Sequence, residues 1–248
     1  MWGFYSFVII FLTLLLTNVA VAFDRVVQGM EPNSITIIGE KHKRPESVHF
    51  FKSLITDYLQ QNKCLTVALE IASNQQSFID EIKQGRPVSD IEIAPMIDHP
   101  PFRQLINDLA QMQGSNDCLK IIAIDAGIKS ETRRDEWMAT KLAEHVGQAP
   151  ILALVGNLHT LKKVEWNYAM SKKEPYVAEI LVSQGKNVRT YPQIWLDREC
   201  STRDRYIHAD SPEATEMLND NLFSLLNADK PKTANGVVNG IVMWECDR

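Results

Sequence analysis

Short apolar runs alternate along the chain with segments whose apolar residues recur every three or four positions. The runs read as strands and the segments between them as helices. Ser34 to Ile38 is a β-rich run that ends at Gly39. Glu46 to Gln61 then sets Val48, Phe51, Ile55 and Tyr58 at helical spacing, with Pro45 suited to a first turn. Leu65 to Leu69 predicts a second buried strand, and a polar helix is expected over Asn74 to Lys83. Gly85 to Pro101, rich in Pro, Asp and Ile, reads as an irregular connection, and Phe102 to Met112 as helix. Leu119 to Ile124 predicts a third strand ending at Asp125, followed by a helix over Glu131 to Val146. Ile151 to Val155 predicts a fourth strand, ending at Gly156. Further on, Tyr176 to Ser183 and Pro212 to Asn227 read as helices, and Val188 to Trp195 and Gly240 to Cys246 as apolar, strand-like runs.

Near-continuous apolar strands separated by helices imply an α/β fold: a mainly parallel sheet flanked by helices on both faces. The pattern does not set the strand order, and an open sheet and a closed barrel both satisfy it. Residues 196–248 read either as part of the sheet or as an added subdomain.

The amino terminus departs from this pattern. Met1 to Ala22 carries no charged side chain, Phe7 to Leu16 is almost wholly apolar, and Ala20-Val21-Ala22 has the small-x-small form of a cleavage site. We therefore expect a signal peptide over 1–22, a single mature domain over 23–248, and an exported product, periplasmic or secreted. An uncleaved membrane anchor is the other reading of the segment. Export permits disulfides. Of the three pairings four cysteines allow, Cys64–Cys118 is favoured, because each precedes a strand and neighbouring strands start about 4.8 Å apart. That leaves Cys200 and Cys246. The net charge of −5 is spread and forms no basic stripe, which argues against nucleic acid. A small molecule or a peptide is the expected partner, and the membrane is one only through an uncleaved leader.

The polar residues fall where the strands end. Strand one runs into Gly39-Glu40-Lys41-His42, strand two ends at Glu70, strand three at Asp125, and strand four runs into Gly156-Asn157-Leu158-His159. In parallel α/β folds these carboxyl ends share one edge, where ligands bind. Residues two apart on an extended chain share a side, which would pair Glu40 with His42 and Asn157 with His159. The glycines allow a close backbone approach or an unusual φ. Glu40, His42, Glu70 and His159 are the expected catalytic set. His42, Glu70 and His159 also form a ligand set suited to a divalent transition metal (Mn, Co, Zn or Fe) with an open position. A water on such a metal would yield its proton to Glu40, or a His–Glu pair would activate water directly. Asn157, Arg134 and Asp135 are candidate cofactor-binding residues. Asp125 reads equally as a turn residue and Asp135 as a helix-start acid. His49 reads as exposed, and His99, His145 and His208 as surface or structural. Trp166, Tyr168 and Trp195 read as packing residues, with Tyr168 able to reach a ligand. No H-E-x-x-H helix, G-x-S-x-G elbow or P-loop occurs.

The runs ITIIGEKH (35–42), LTVALE (65–70), RRDEWMATKLAE (133–144) and ILALVGNLHTLKKV (151–164) resemble the Tiki / ChaN / erythromycin-esterase superfamily. The similarity extends from Ser34 to Leu181. It implies an α/β fold with paired G-x-x-H motifs and an intervening Glu around a pocket. Tiki-type members are metal-dependent proteases, which points to His42, Glu70 and His159 in the site with Glu40 beside them. Erythromycin-esterase-type members are hydrolases with a His base. ChaN-type members are exported haem-binding proteins of iron uptake, so haem is the alternative cofactor. A lipoprotein cysteine, part of the ChaN pattern, is missing from this sequence.

Overall fold

Four of the apolar runs, with the first half of a fifth, make one parallel sheet in the computed structural model, which describes residues 21–127, 130–167, 174–196 and 203–246. Its strands are β1 (Ser34–Glu40), β2 (Leu65–Ala72), β3 (Leu119–Asp125), β4 (Ile151–Gly156) and β5 (Asn187–Tyr191), in the spatial order β3-β2-β4-β1-β5. The sheet is open. β1 and β4 are inner strands buried along their whole length, which is why they read as unbroken apolar runs.

Side chains still alternate between two cores. Leu152 and Leu154 of β4 join Val67 and Leu69 of β2 on one face. There they meet α2 (Pro45–Gln60), through Phe51, Leu54 and Ile55, and α4 (Pro100–Ser115), through Phe102, Leu105 and Ile106. Ile151, Ala153 and Val155 face the other way with Ile35 and Ile37, under α5 (Arg134–Glu144) and α6 (Val177–Ser183). Pro45 starts α2 in the first-turn position expected of it. The two remaining helices on the sheet side are α1 (Val21–Gln28) and the short α3 (Gln76–Ile82). No helix of the described residues is long and apolar enough to cross a membrane.

Two expectations change. Val188 to Trp195 is two strands, because Pro192 has no N–H for the ladder. After it, β6 (Gln193–Trp195) joins a second sheet of order β6-β8-β7 with β8 (Gly240–Glu245) and β7 (Arg203–His208). β7 went unseen because Arg203, Asp204 and Arg205 mask its pattern on an exposed edge. The Pro212 helix is also shorter than expected: α7 (Pro212–Asn221), capped by the Ser211 hydroxyl, gives way to a 3₁₀ turn over Phe223–Leu225. This second sheet and α7 share a core that includes Ile194, Ile207, Met217, Leu218 and Met243.

Cys64 and Cys118 are joined, their Cα atoms 4.3 Å apart. They stand at the starts of neighbouring strands, as expected. Cys246 is disulfide-bonded, and Cys200 lies outside the described residues, as do Tyr168 and all but the last two residues of the leader segment 1–22.

Tyr191, at the end of β5, is 3% exposed and its hydroxyl is pushed up to about 12, chiefly by burial and also by Tyr206. The unfolded chain ionises this group near 10. Stability is therefore complete below pH 10 and is lost as pH rises toward 12, by roughly 2–3 kcal/mol. Tyr191→Phe should remove that part of the alkaline slope in urea melts between pH 9 and 11.5; an unchanged slope would count against it.

Candidate functional site

The ends of β1 and β4 line one cavity, and the end of β2 lies beside them. Glu40 is the last residue of β1 and is 2% exposed. His42 lies two residues on, in a turn where Lys43 takes a left-handed φ of 66°. The His42 ring Nδ1 lies 2.7 Å from Glu40 Oε1. Glu40 Oε2 is buried and has no partner among the described residues.

Glu70 is 1% exposed. β2 carries an extra residue between Leu69 and Ala72 relative to β3. A bulge of this kind re-aims the side chains beside it. The Gly156 N–H donates to Glu70 Oε2 at 2.7 Å, tying the carboxylate to the end of β4, and Arg134 Nη2 donates to Oε1 at 2.5 Å. The same guanidinium grips Asp125, at 2.7 Å from Nε and 3.0 Å from Nη2. Asp125 is thus neither a free turn residue nor a ligand: it anchors the arginine.

His159 sits in the 3₁₀ turn Asn157–Thr160 after β4. The turn overturns the expected pairing with Asn157, because side chains two apart share a side only on extended chain. His159 Nδ1 lies 2.6 Å from Asp135 Oδ1, and the Val177 N–H donates to that same oxygen at 3.0 Å. His159 Nε2 lies 3.9 Å from Glu70 Oε1. Asn157 lines the cavity, but its amide is engaged in both directions with the Gln193 backbone.

The paired glycines serve close approach, not special φ. A Cβ on Gly156 would stand 3.3 Å from His42 Nε2 and 3.5 Å from His159 Cδ2, so the backbone there lies between the two imidazoles. A Cβ on Gly39 would overlap Asn157 Oδ1 and come within 3.0 Å of Asn157 Cα. Only at these positions can the first and fourth strand ends lie this close.

Both histidines titrate above the ordinary value for their type. Burial pushes His42 down, but the bond to Glu40 and the charges of Glu70 and Glu40 outweigh it. Burial likewise pushes His159 down, and the bond to Asp135 with the Glu70 charge reverses it. Each imidazole is thus held by its own carboxylate, a pattern that fixes ring orientation and tautomer.

Ligand atoms of Glu40, His42 and Glu70 all lie within 4.8 Å of one another, close enough to hold a metal ion. His159, the third ligand expected from the sequence, faces Glu70 but is outside that group. The donor chemistry fits a divalent transition ion, two carboxylates and an imidazole, and the second Glu40 oxygen is left without a protein partner among the described residues. The cavity has a volume of about 440 Å³. Its outer wall is apolar, with Leu158, Ile194, Trp195, Leu222 and Leu225.

Of the remaining sequence candidates, His49 and His208 are exposed, His145 is half-buried, and His99 is buried against the Ile97 carbonyl. Trp166 packs on Tyr176, and Trp195 stacks on Trp244 while also lining the cavity. Sequence reasoning missed Gln193. Its N–H bonds Asn157, its side-chain amide donates to the Gly39 carbonyl at 2.9 Å, and its oxygen accepts from Trp244 at 2.9 Å. A lone amide inside an apolar strand was the available signal.

No family model and no curated protein matches the sequence. Solved structures do. A Bacillus cereus protein superposes with a TM-score of 0.60 at 12% identity, over 91% of this chain and 90% of its own. A mutant of the erythromycin esterase EreC, in its open conformation, gives 0.55 at 11% identity, over 88% of this chain and 91% of its own. The chain has the fold of these proteins. ChaN of Campylobacter jejuni, whose structure shows cofacial haem binding, superposes more loosely, with a TM-score of 0.48 at 15% identity over 71% of this chain and 87% of its own. At such identities the likeness is one of fold, and it agrees with the architecture that the sequence resemblance implied.

Proposed function

We propose that this chain is an exported hydrolase of a peptide or ester bond, assisted by a divalent transition metal held by His42 and Glu70, with Glu40 beside it as the base. The observation that carries the reading is the buried, unpartnered Oε2 of Glu40, beside His42 and Glu70. A buried carboxylate oxygen without a donor is costly unless a cation or a water proton satisfies it. The leader-like segment 1–22 supports export.

When bound, such an ion supplies Lewis-acid polarisation of a carbonyl and of water. The chain's own residues do the rest. Glu40 Oε2 accepts the proton of the attacking water. His42, fixed through Nδ1, would hold the ion through Nε2. His159, whose protonated form Asp135 and Glu70 favour, donates a proton to the leaving group. Arg134 holds Glu70 in place and faces the cavity with a permanent positive charge.

Asp135→Asn should lower kcat about 100-fold with little change in KM, because the amide cannot stabilise the imidazolium of His159. Steady-state kinetics on the folded variant check this, and an unchanged kcat removes His159 from the chemistry.

The metal is tested on protein purified without chelators, by elemental mass spectrometry alongside an ester and peptide turnover assay. The expected result is near-stoichiometric transition metal, lost in His42→Ala, with activity lost on chelation. Turnover that survives complete metal removal would overturn the metal and leave the His42–Glu40 pair acting on water alone. No turnover of either bond would overturn the hydrolase. Haem binding is the second reading, favoured by the apolar wall of Trp195, Leu222 and Leu225 facing two histidines. It predicts a Soret band on haem titration that His42→Ala abolishes.

A further inference from the structure

The cavity over Glu40 does not end at the catalytic residues. Met96 and Arg134 line it and also line a second hollow of about 490 Å³. Ala94, Pro95, Gly127 and Ser130 of that hollow are in turn walls of a third, of about 710 Å³, which reaches Glu70 and Asp125. The three hollows share walls in series. They form one cleft along the carboxyl edge of the sheet, with the catalytic carboxylates inside it.

Its two ends differ. Beside Glu40 the wall is Ile194, Trp195, Leu222 and Leu225. Beyond Arg134 it is small or polar: Ala72, Asn74, Ala94, Pro95 and Gly127. Exposed apolar side chains give an independent sign. Among the described residues four large ones are exposed, and two of these, Met96 at 56% and Leu225 at 72%, line the cleft. A third, Leu196, follows Trp195 directly. Exposed apolar surface gathered round a polar centre marks a binding site.

The dimensions suit a chain. Asp125 ends β3 and Glu40 ends β1, three strand spacings apart in the sheet order. At about 4.8 Å each this is roughly 14 Å, or about four residues of extended backbone, and the Trp195 wall lies beyond the β1 end of that span.

Resting on the hydrolase reading, we infer that the substrate is an extended polypeptide laid across the strand ends. An apolar side chain fills the Trp195–Leu222–Leu225 pocket, and the main chain runs out past Arg134 over Gly127. A small ester would leave two of the three hollows unused.

The test is a length series of peptides, from two to eight residues around one central Leu, compared with p-nitrophenyl acetate. Wild type supplies the rates, and Glu40→Gln serves as a non-cleaving trap for binding by fluorescence anisotropy. We expect kcat/KM to rise about 100-fold or more between two and six residues and then level. Leu225→Asp should lower the hexapeptide value about tenfold with an unchanged melting temperature, since Leu225 is largely exposed. Turnover of p-nitrophenyl acetate with a flat length series would overturn this inference and leave the hydrolase standing. Tight hexapeptide binding to the trap with no cleavage by wild type would overturn the hydrolase and leave the cleft. Neither binding nor cleavage overturns both.

Discussion

Glu40→Gln should lower kcat about a thousandfold or more, the range of a lost general base, while the protein stays folded. Gln keeps the shape of the side chain, and its oxygen can still accept from His42 Nδ1, so the ring need not move. What disappears is the negative charge on the atom that takes the proton and draws the cation. That charge is also a burden in the native state, because Oε2 lies in the interior with no donor and a lone buried charge is expensive. The melting temperature should therefore hold or rise by a few degrees, a trade of stability for activity common at working sites. Kinetics and thermal melts on one preparation check both halves. An undiminished rate would end the assignment of Glu40. A lost rate with a lower melting temperature would make Glu40 a structural brace.

Much of the site was legible because strand ends are legible. A polar residue that stops an apolar run has nowhere to go but the sheet edge, and this located Glu40, Glu70, Asp125 and the two G-x-x-H stretches. Partnerships were less so. Glu40 with His42 followed from extended geometry, whereas His159 turned to Asp135 because Asn157–Thr160 is a 3₁₀ turn. Arg134 and Asp135 were read from the sequence as candidate cofactor-binding residues, Asp135 equally as a helix-start acid. Their separate tasks, one on Glu70 and Asp125 and the other on His159, depend on how α5 crosses β3 and β4. That is a tertiary fact with no local signature.

The same division holds for the fold. Apolar runs flanked by helices gave β1 to β4 and the class of sheet, and the two strand-start cysteines gave one disulfide. The order β3-β2-β4-β1-β5 did not follow, since near-continuous apolar strands carry no record of which neighbour they touch. The second sheet was harder still. Its strand β7 is charged along one edge, and β6 is three residues cut from β5 by a single proline. Because these elements carry the apolar wall of Ile194, Trp195 and Leu222, that half of the cavity was less visible than the half with the carboxylates and histidines.

Arg134→Met should cost about 3–5 kcal/mol at pH 7.5, the largest stability loss expected of any change at the site. The guanidinium is partly exposed, but the carboxylates it holds are not: the Glu70 side chain is 1% and the Asp125 side chain 3% exposed. Among the described residues Glu70 then keeps the Gly156 N–H and, at 3.9 Å, His159 Nε2, and Asp125 keeps the Ala126 N–H, and the two confront each other as buried charges of one sign. Neutralising one of two like charges crowded in the interior relieves the clash. The variant's deficit against wild type should shrink between pH 7 and 5, which urea melts at the two pH values will show. A deficit under 1 kcal/mol, or one that grows toward pH 5, would mean that solvent already screens the pair. Arg134→Lys should recover only part of the loss, since one ammonium cannot span both carboxylates as the fork does. The decisive form is the triple change Arg134→Met, Glu70→Gln, Asp125→Asn, which removes the charges together. Replacing a buried ionic group as a whole is often neutral for stability, so this variant should regain most of the lost stability and yet stay inactive. That outcome would separate the two roles of the network. On the hydrolase proposal the fold can do without the charges, but the reaction needs the Glu70 carboxylate that Arg134 holds at the strand end.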